Sequence, residues 1–387
     1  MMQNQELELY IHIPFCIRKC QYCDFLSGPA TEETKDRYME ALCREIAGKS
    51  EIYRDYKITS LFIGGGTPSC VKPSWITRIM EIVREKYDLS REAEISMEIN
   101  PGTVDELALK RYYQAGINRL SIGLQSAREE ELKTLGRIHS FQQFLETYER
   151  AREIGFTNVN VDIMSGLPGQ SSEYYEESLR KITSLEPAPE HISAYSLIVE
   201  EGTPFYEQYE AGTLELPEEE TERAMYELTG TFLKKRGYER YEISNYAKAG
   251  KECRHNIGYW IRKNYVGFGI GAASLVENVR FKNTDNLTDY IEDFLNCREE
   301  IHSLSIQEQM EETMFLGLRL AKGVSVQNFE AVYGVRMEQV YAEVLEKHIK
   351  QGLLERYVSQ TEPEEYIRLT PKGMDVSNYV MADFLEP

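Results

Sequence analysis

"YIHIPFCIRKCQYCDF", residues 10–25, sets three cysteines in one short loop as C-x3-C-x2-C: Cys16, Cys20 and Cys23. The stretch follows on from "LELYIHI" (7–13), which reads as a strand. In a reducing compartment, clustered thiols hold metal more readily than they form disulfides. Three thiolates at this spacing suit a cubane iron–sulfur cluster, leaving one iron without a protein ligand. That open iron is free to take a substrate or cofactor, by the logic of an open zinc site. The alternative is structural zinc with His12 as fourth ligand. Against it, His12 lies inside the strand pattern and no second C-x-x-C appears. Otherwise His12 either hydrogen-bonds near a cluster and tunes it or packs at a strand end. The remaining cysteines, Cys43, Cys70, Cys253 and Cys297, are scattered and read as small buried apolar residues.

Outward from this loop, short β-rich runs alternate with longer helical stretches. Strands are expected at 7–13, 58–64, 94–99, 118–124, 158–164 and 191–197. Helices are expected at 32–49, with Thr31 as N-cap, and at 73–87, 103–115, 127–134, 140–154 and 171–185. Strands joined by helical crossovers pair in parallel with right-handed connections. Six such units predict an α/β fold, either a partial (β/α)6 barrel or a doubly wound sheet. Gly, Pro and polar signals follow the strands: "GGGTP", "INPGT", "GLQS" and "SGLPGQ". Loops at the C-terminal ends of parallel strands carry the sites of such folds. One active face is therefore expected, with the cysteine loop on it.

After about residue 300 the pattern changes to helical stretches at 307–320 and 325–350, then a β-hairpin and a last helix. This predicts a small C-terminal winged-helix-like α+β domain over 300–387, beside a barrel with accessory segments over 1–290. The 387 residues allow that division, and 42% hydrophobic with 28% charged residues is ordinary for a globular chain. A formal net charge of −20 argues against nucleic acid and against bulk attraction to anionic lipid. No apolar run approaches a membrane span. "MMQNQELELY" lacks the features of a signal peptide, so a cytoplasmic location is expected.

C-x3-C-x2-C with Tyr22 before its third cysteine resembles the signature of the radical SAM superfamily. The resemblance implies a [4Fe–4S] cluster on Cys16, Cys20 and Cys23, with S-adenosylmethionine (SAM) on the open iron. "GGGTP" (64–68) resembles the glycine motif that meets the methionine amino group, which assigns Gly65, Gly66 and Thr67. Glu98 resembles the carboxylate that pairs with the cofactor's ammonium. Gln125, Arg137 and Asp162 resemble the residues that hold its carboxylate and ribose. Tyr10 and Tyr22 complete the expected cofactor set.

Y-x-H-I-P-F-C narrows the resemblance to the group around oxygen-independent coproporphyrinogen III oxidase (HemN), and "RLTPKGMDVSN" (368–378) resembles that group's C-terminal domain. The oxidase has a fourth cysteine two residues after the third, where Phe25 stands here. It also has a long segment before its first strand. Both departures resemble the haem chaperones of the HemW type. "CRHNIGYW" (253–260) contains H-N-x-x-Y-W, a motif characteristic of those chaperones. His255, Asn256, Tyr259 and Trp260 are thus the candidate haem residues. Histidine is a fit axial ligand and the aromatics offer flat surfaces. The alternative is structural hydrogen bonding by His255 and Asn256, with the rings packed beneath the barrel mouth. "NYVGFGIGAAS" (264–274) is expected to close the barrel region beside the cofactor.

The implied function is a haem chaperone with haem as cargo and haem proteins such as respiratory enzymes as clients. Docking to a membrane protein and homodimerisation are left open, and no catalytic residue is assigned. The rival is a radical SAM enzyme: the anaerobic oxidase, a HemN-like methyltransferase or a haem-degrading relative.

Overall fold

A computed structural model of the chain describes residues 5–358 and 364–385. The opening residues of the leader reading, 1–4, lie outside the described residues, as do 359–363 in the expected hairpin and the end of the expected last domain, 386–387.

Six strands pair in parallel in chain order: β1 (Gln5–Ile13), β2 (Tyr56–Gly65), β3 (Asp88–Ile99), β4 (Arg119–Gln125), β5 (Val159–Ser165) and β6 (His191–Ser196). Between them run α1 (Glu32–Lys49), α2 (Pro73–Lys86), α3 (Glu106–Gln114), α4 (Glu129–Thr134), α5 (Phe141–Ile154) and α6 (Ser172–Thr183). The Thr31 hydroxyl caps α1, accepting from Thr34 N at 3.2 Å. The strand order has no reversal, so there is no switch point and the doubly wound alternative falls away. This is a partial (β/α)6 barrel.

The barrel does not close. After β6 come α7 (Pro204–Glu210), α8 (Glu219–Lys234) and the short strands β7 (Glu239–Arg240) and β8 (Asn245–Ala247); β8 pairs antiparallel with β6. Helix α9 (Arg254–Trp260) leads into β9 (Tyr265–Phe268), which pairs parallel to the free edge of β1. Then β10 (Ala273–Val276), β11 (Val279–Asn283), helix α10 (Leu287–Glu292) and β12 (Arg298–Ser303) carry the sheet onward. The glycine-rich 264–274 segment therefore extends the twelve-stranded sheet outward and does not bridge β1 to β6. Its glycines permit close approach: a Cβ at Gly269 would lie 2.7 Å from the His12 carbonyl oxygen.

The C-terminal region has α11 (Ile306–Gly317), β13 (Val324–Ser325), α12 (Val326–Tyr333), α13 (Met337–Lys350), β14 (Leu354–Val358), β15 (Glu365–Leu369), α14 (Pro371–Asp375) and α15 (Ser377–Ala382). A three-stranded sheet in the order β13-β15-β14 makes it winged-helix-like. The helix expected over 325–350 is two helices, because Gly334 turns left-handed (φ 69°) and ends the first. The expected last helix is likewise two short ones, broken at Val376.

Two large apolar cores result among the described residues, with a minor cluster of Leu135, Met164, Leu167 and Phe205. The larger packs the outward faces of the strands (Leu7, Leu9, Ile11, Ile13, Leu120, Ile122, Val159, Val161) under the helices. The smaller is that of the C-terminal region, built on residues such as Met314, Phe329, Leu345 and Ile367.

Candidate functional site

The cysteine loop is tied to the ends of β1 and β2 by backbone bonds. Cys16 N donates to Gly28 O at 3.0 Å, Gly66 N to Ile13 O at 2.9 Å and Thr67 N to Phe15 O at 2.7 Å. His12 Nε2 donates to Leu26 O at 3.0 Å, since a carbonyl only accepts. Burial pulls the His12 pKa below its ordinary value, so the ring is neutral and Nδ1 accepts from the Tyr10 hydroxyl at 3.0 Å. Both ring nitrogens are spoken for. Among the described residues no three His, Cys, Asp or Glu side chains converge on a single-ion site. Zinc ligation by His12 would require the loss of one of its two hydrogen bonds. Burial pushes the Cys23 thiol above its ordinary pKa.

The glycine loop lies against the first thiol. A Cβ at Gly66 would stand 2.8 Å from Phe15 O and 3.0 Å from Cys16 Sγ. Gly65 has φ +114°, a region glycine alone adopts readily. The Thr67 hydroxyl donates to Cys16 Sγ at 3.5 Å and accepts from Asn100 Nδ2 at 2.8 Å. Arg137 reaches Cys20 Sγ with Nη1 at 3.6 Å and Asn100 Oδ1 with Nη2 at 2.6 Å.

Two carboxyls face the same space. Glu98 accepts from Gly65 N at 3.1 Å, and burial, with Asp162 nearby, raises its pKa to about 8. Asp162 is also raised by burial; it accepts from Asn160 Nδ2 at 2.7 Å and from the Ser121 hydroxyl at 3.4 Å. Gln125 ends β4 at φ 75°, beside a register slip in its pairing with β5. A non-glycine residue held there is a strained position of the sort that clusters at sites.

These groups line two adjoining cavities. The smaller, about 130 Å³, meets Cys16, Cys20, Cys23, Tyr22, Gly65, Gly66, Thr67, Glu98, Gln125, Arg137 and Asp162. The larger, about 400 Å³, lies inside the barrel and meets Tyr10, Tyr22, Glu98, Gln125, Asp162, His255, Asn256 and Tyr259. Every residue singled out for the cluster or SAM thus lines one cavity or both.

The H-N-x-x-Y-W residues are divided. His255 is buried at the barrel floor: Nδ1 pairs with Ser60 Oγ at 2.8 Å and Nε2 with the Tyr259 hydroxyl at 2.9 Å. Burial, then the charge of Arg119, lowers its pKa to about 3, so the ring is neutral. Its backbone N–H donates to Glu94 Oε1 at 3.2 Å, which fixes the start of α9. Metal ligation by this ring would require the loss of one of its two hydrogen bonds. Trp260 lines neither cavity and instead lies under the Arg319 guanidinium, 4.3 Å from ring centre to cation.

Reasoning from the sequence missed the polar lining around Asp162, namely Arg119, Ser121, Asn160, Ser193 and Tyr195, with Phe62 also on the wall and His191 bonded to Asn160. The signal was present. In "EISMEI", "RLSIGLQ", "VNVDIM" and "HISAYS" every second residue is polar or tyrosine, Gly123 and Met164 excepted, within largely buried strands. Period-2 polarity in a strand that reads as interior marks an inner wall facing a cavity.

An open parallel barrel with a three-thiol loop after its first strand is the architecture of radical SAM proteins, and residues 10–182 match the radical SAM superfamily. Residues 304–376 match the HemN C-terminal domain. The haem chaperone HemW of Bacillus subtilis is 37% identical over 380 residues, covering 97% of this chain and 98% of that protein. HemW of Escherichia coli is 34% identical over 390 residues, covering both chains completely (100%). The chain belongs to the HemW family of radical SAM proteins. The solved structure of E. coli coproporphyrinogen III oxidase (HemN) shares the fold, with a TM-score of 0.85 at 23% identity, covering 98% of this chain and 90% of that one. Superfamily membership implies a [4Fe–4S] cluster and SAM. No helix among the described residues is long and apolar enough to cross a membrane.

Proposed function

We propose that this chain is a haem chaperone: it binds haem and passes it to client haem proteins such as respiratory enzymes in the cytoplasm or docked at a membrane. The observation that carries the reading is the near-full-length similarity to proteins named haem chaperones. Phe25, 61% exposed, stands where the oxidase would supply a further thiol, and this favours the chaperone over the oxidase.

Cys16, Cys20 and Cys23 would hold the cluster, and the neighbouring residues fit it. The donors are three soft thiols of one loop that line a single cavity, the ligand type that iron–sulfur clusters take. The side chain missing at Gly66 leaves room beside Cys16, and the Arg137 guanidinium faces the Cys20 sulfur. A buried carboxyl such as Glu98 ionises fully only beside a cation. The ammonium of SAM is such a cation, with Gly65, Gly66, Thr67, Gln125, Arg137, Asp162, Tyr10 and Tyr22 lining the rest of its path. When bound, cluster and SAM supply one-electron chemistry. The residues of this chain orient them and keep the inner cavity apart from bulk water. In this reading the barrel with its sheet extension is one unit and the C-terminal region a second.

Anaerobically reconstituted protein incubated with haem is expected to keep a Soret band through gel filtration, in a run that also reports oligomeric state. Incubated with coproporphyrinogen III, it is expected to form no protoporphyrinogen. Conversion with release of deoxyadenosine would reverse the assignment in favour of the oxidase.

A further inference from the structure

Arg119 stands at the inner end of the larger cavity, 2% exposed, on β4 two residues before Ser121. Its guanidinium makes no hydrogen bond or ion pair among the described residues, and its Nε is buried without a partner. Three less buried arginines differ in having a partner for the guanidinium's terminal nitrogens or, for Arg262, its Nε. Arg152 pairs with Glu190 at 2.8 Å, Arg262 with Glu312 at 2.9 Å, and Arg137 bonds Asn100 at 2.6 Å.

The anions near Arg119 are already engaged. Glu94 accepts from the backbone N–H groups of Arg254 and His255 and from the Cys253 thiol. Asp162 takes Asn160 and Ser121, while Asn160 is in turn bonded by His191 and Ser193. Glu94 and Asp162 lie close enough to act on Arg119 through their charge, but neither bonds it. A guanidinium offers five donors in a planar fork. Burying them without an acceptor is costly, and a bidentate carboxylate is their best-matched partner. Above Arg119 the lining sets the rings of Tyr10, Tyr22, Phe62, Tyr195 and Tyr259 beside the carboxyls of Glu98 and Asp162, which the cofactor reading already uses. A cation at the end of an aromatic-walled chamber selects a ligand with a flat apolar body and an acidic arm.

We propose that Arg119 is the receptor for a ligand carboxylate inside the barrel and, resting on the chaperone reading above, that the carboxylate is a propionate of the haem cargo. The macrocycle lies toward the cavity mouth, and one propionate arm reaches inward to the guanidinium.

The test compares haem with its dimethyl ester, which keeps the macrocycle and iron but removes both carboxylate charges. Binding is followed by the Soret band, on protein loaded with cluster and SAM. Wild type is expected to bind haem about tenfold or more tighter than the ester, the scale of one charge-assisted contact. Arg119→Gln is expected to remove that preference by weakening haem alone, and Arg119→Lys to restore part of it. Unchanged iron content and SAM affinity in both variants would show the fold intact. Equal affinities of wild type for haem and ester overturn this proposal and leave the chaperone reading standing. A full preference surviving in Arg119→Gln does the same. Failure of wild type to bind either overturns the chaperone reading and this proposal with it. The ester comparison on wild type decides the question even if a variant does not fold.

Discussion

The inner wall of the barrel and the core of the C-terminal region are both buried, and they are filled with opposite chemistry. Along the barrel wall stand Glu8, His12, Ser60, Glu94, Ser96, Arg119, Ser121, Asn160, His191 and Ser193, each less than a tenth exposed. The C-terminal core holds Met310, Met314, Leu318, Phe329, Met337, Leu345, Ile367, Leu369 and Phe384. The second set packs side chain on side chain, with His348, bonded to Asp383, as a buried polar exception. The first set surrounds space. Its polar groups are satisfied mostly by one another, as in the chain from His191 to Asn160 to Asp162, while Arg119 Nε and Glu8 Oε2 are left over among the described residues. Burial in the C-terminal region therefore stabilises the fold, whereas burial in the barrel raises carboxyl pKa values and holds donors ready for a ligand.

Four substitutions break or sharpen this contrast. The largest effect belongs to the thiols: replacing Cys16, Cys20 and Cys23 together with Ala is expected to abolish iron binding while the far-ultraviolet circular dichroism stays unchanged. Iron retained after reconstitution would remove the cluster from the account. Next, Phe329→Ala empties part of the C-terminal core and is expected to cost about 3–5 kcal/mol in chemical denaturation. Iron content should not move. If it falls with stability, the two regions do not act as separately packed cores.

Glu8 gives a smaller effect with a definite sign. Burial raises its pKa from 4.5 to about 8, so the native state prefers it protonated. The stability this contributes is complete below about 4.5 and is lost as pH rises through about 8. His255, lowered from 6.5 to about 3, works in the opposite direction, but only below pH 6.5. Cluster-free protein should therefore lose thermal stability between pH 6.5 and 8, and Glu8→Gln should reduce that slope, leaving the part of the same sign that Glu98 contributes. An identical slope in the variant would mean that Glu8 is already ionised in the native barrel. The smallest effect is expected for Trp260→Leu, about 1 kcal/mol from the lost contact with Arg319. Haem affinity should be unchanged, because Trp260 faces away from the cavity; a large loss would return it to the haem site.

The contrast also explains which features were legible along the chain. The six strands and their helices were, because apolar periodicity in the outer rows is strong and local: Leu7, Leu9, Ile11 and Ile13 announce β1 unaided. Thr31 and the cysteine loop were legible for the same reason, since capping and ligand spacing act over a few residues. Strands β7 and β8 were not, being two and three residues long and held only by pairing of β8 to β6 and of β7 to β8. Nor was the break at Gly334, where one left-handed residue outweighs a continuous helical pattern. His255 and Trp260 were read as a single constellation because they are five residues apart. A short helix points them to opposite sides, one into the barrel and the other toward Arg319.

The order of elements, the thiol loop and the identities of the residues around it follow from the sequence alone, because spacing and side-chain chemistry are properties of neighbours in the chain. Tertiary structure decided that the sheet stays open, that both nitrogens of His12 and of His255 are taken, and that the Arg119 guanidinium has no partner among the described residues. Each of these depends on which distant groups share a buried space, and burial turns an ordinary side chain into a group that demands a partner.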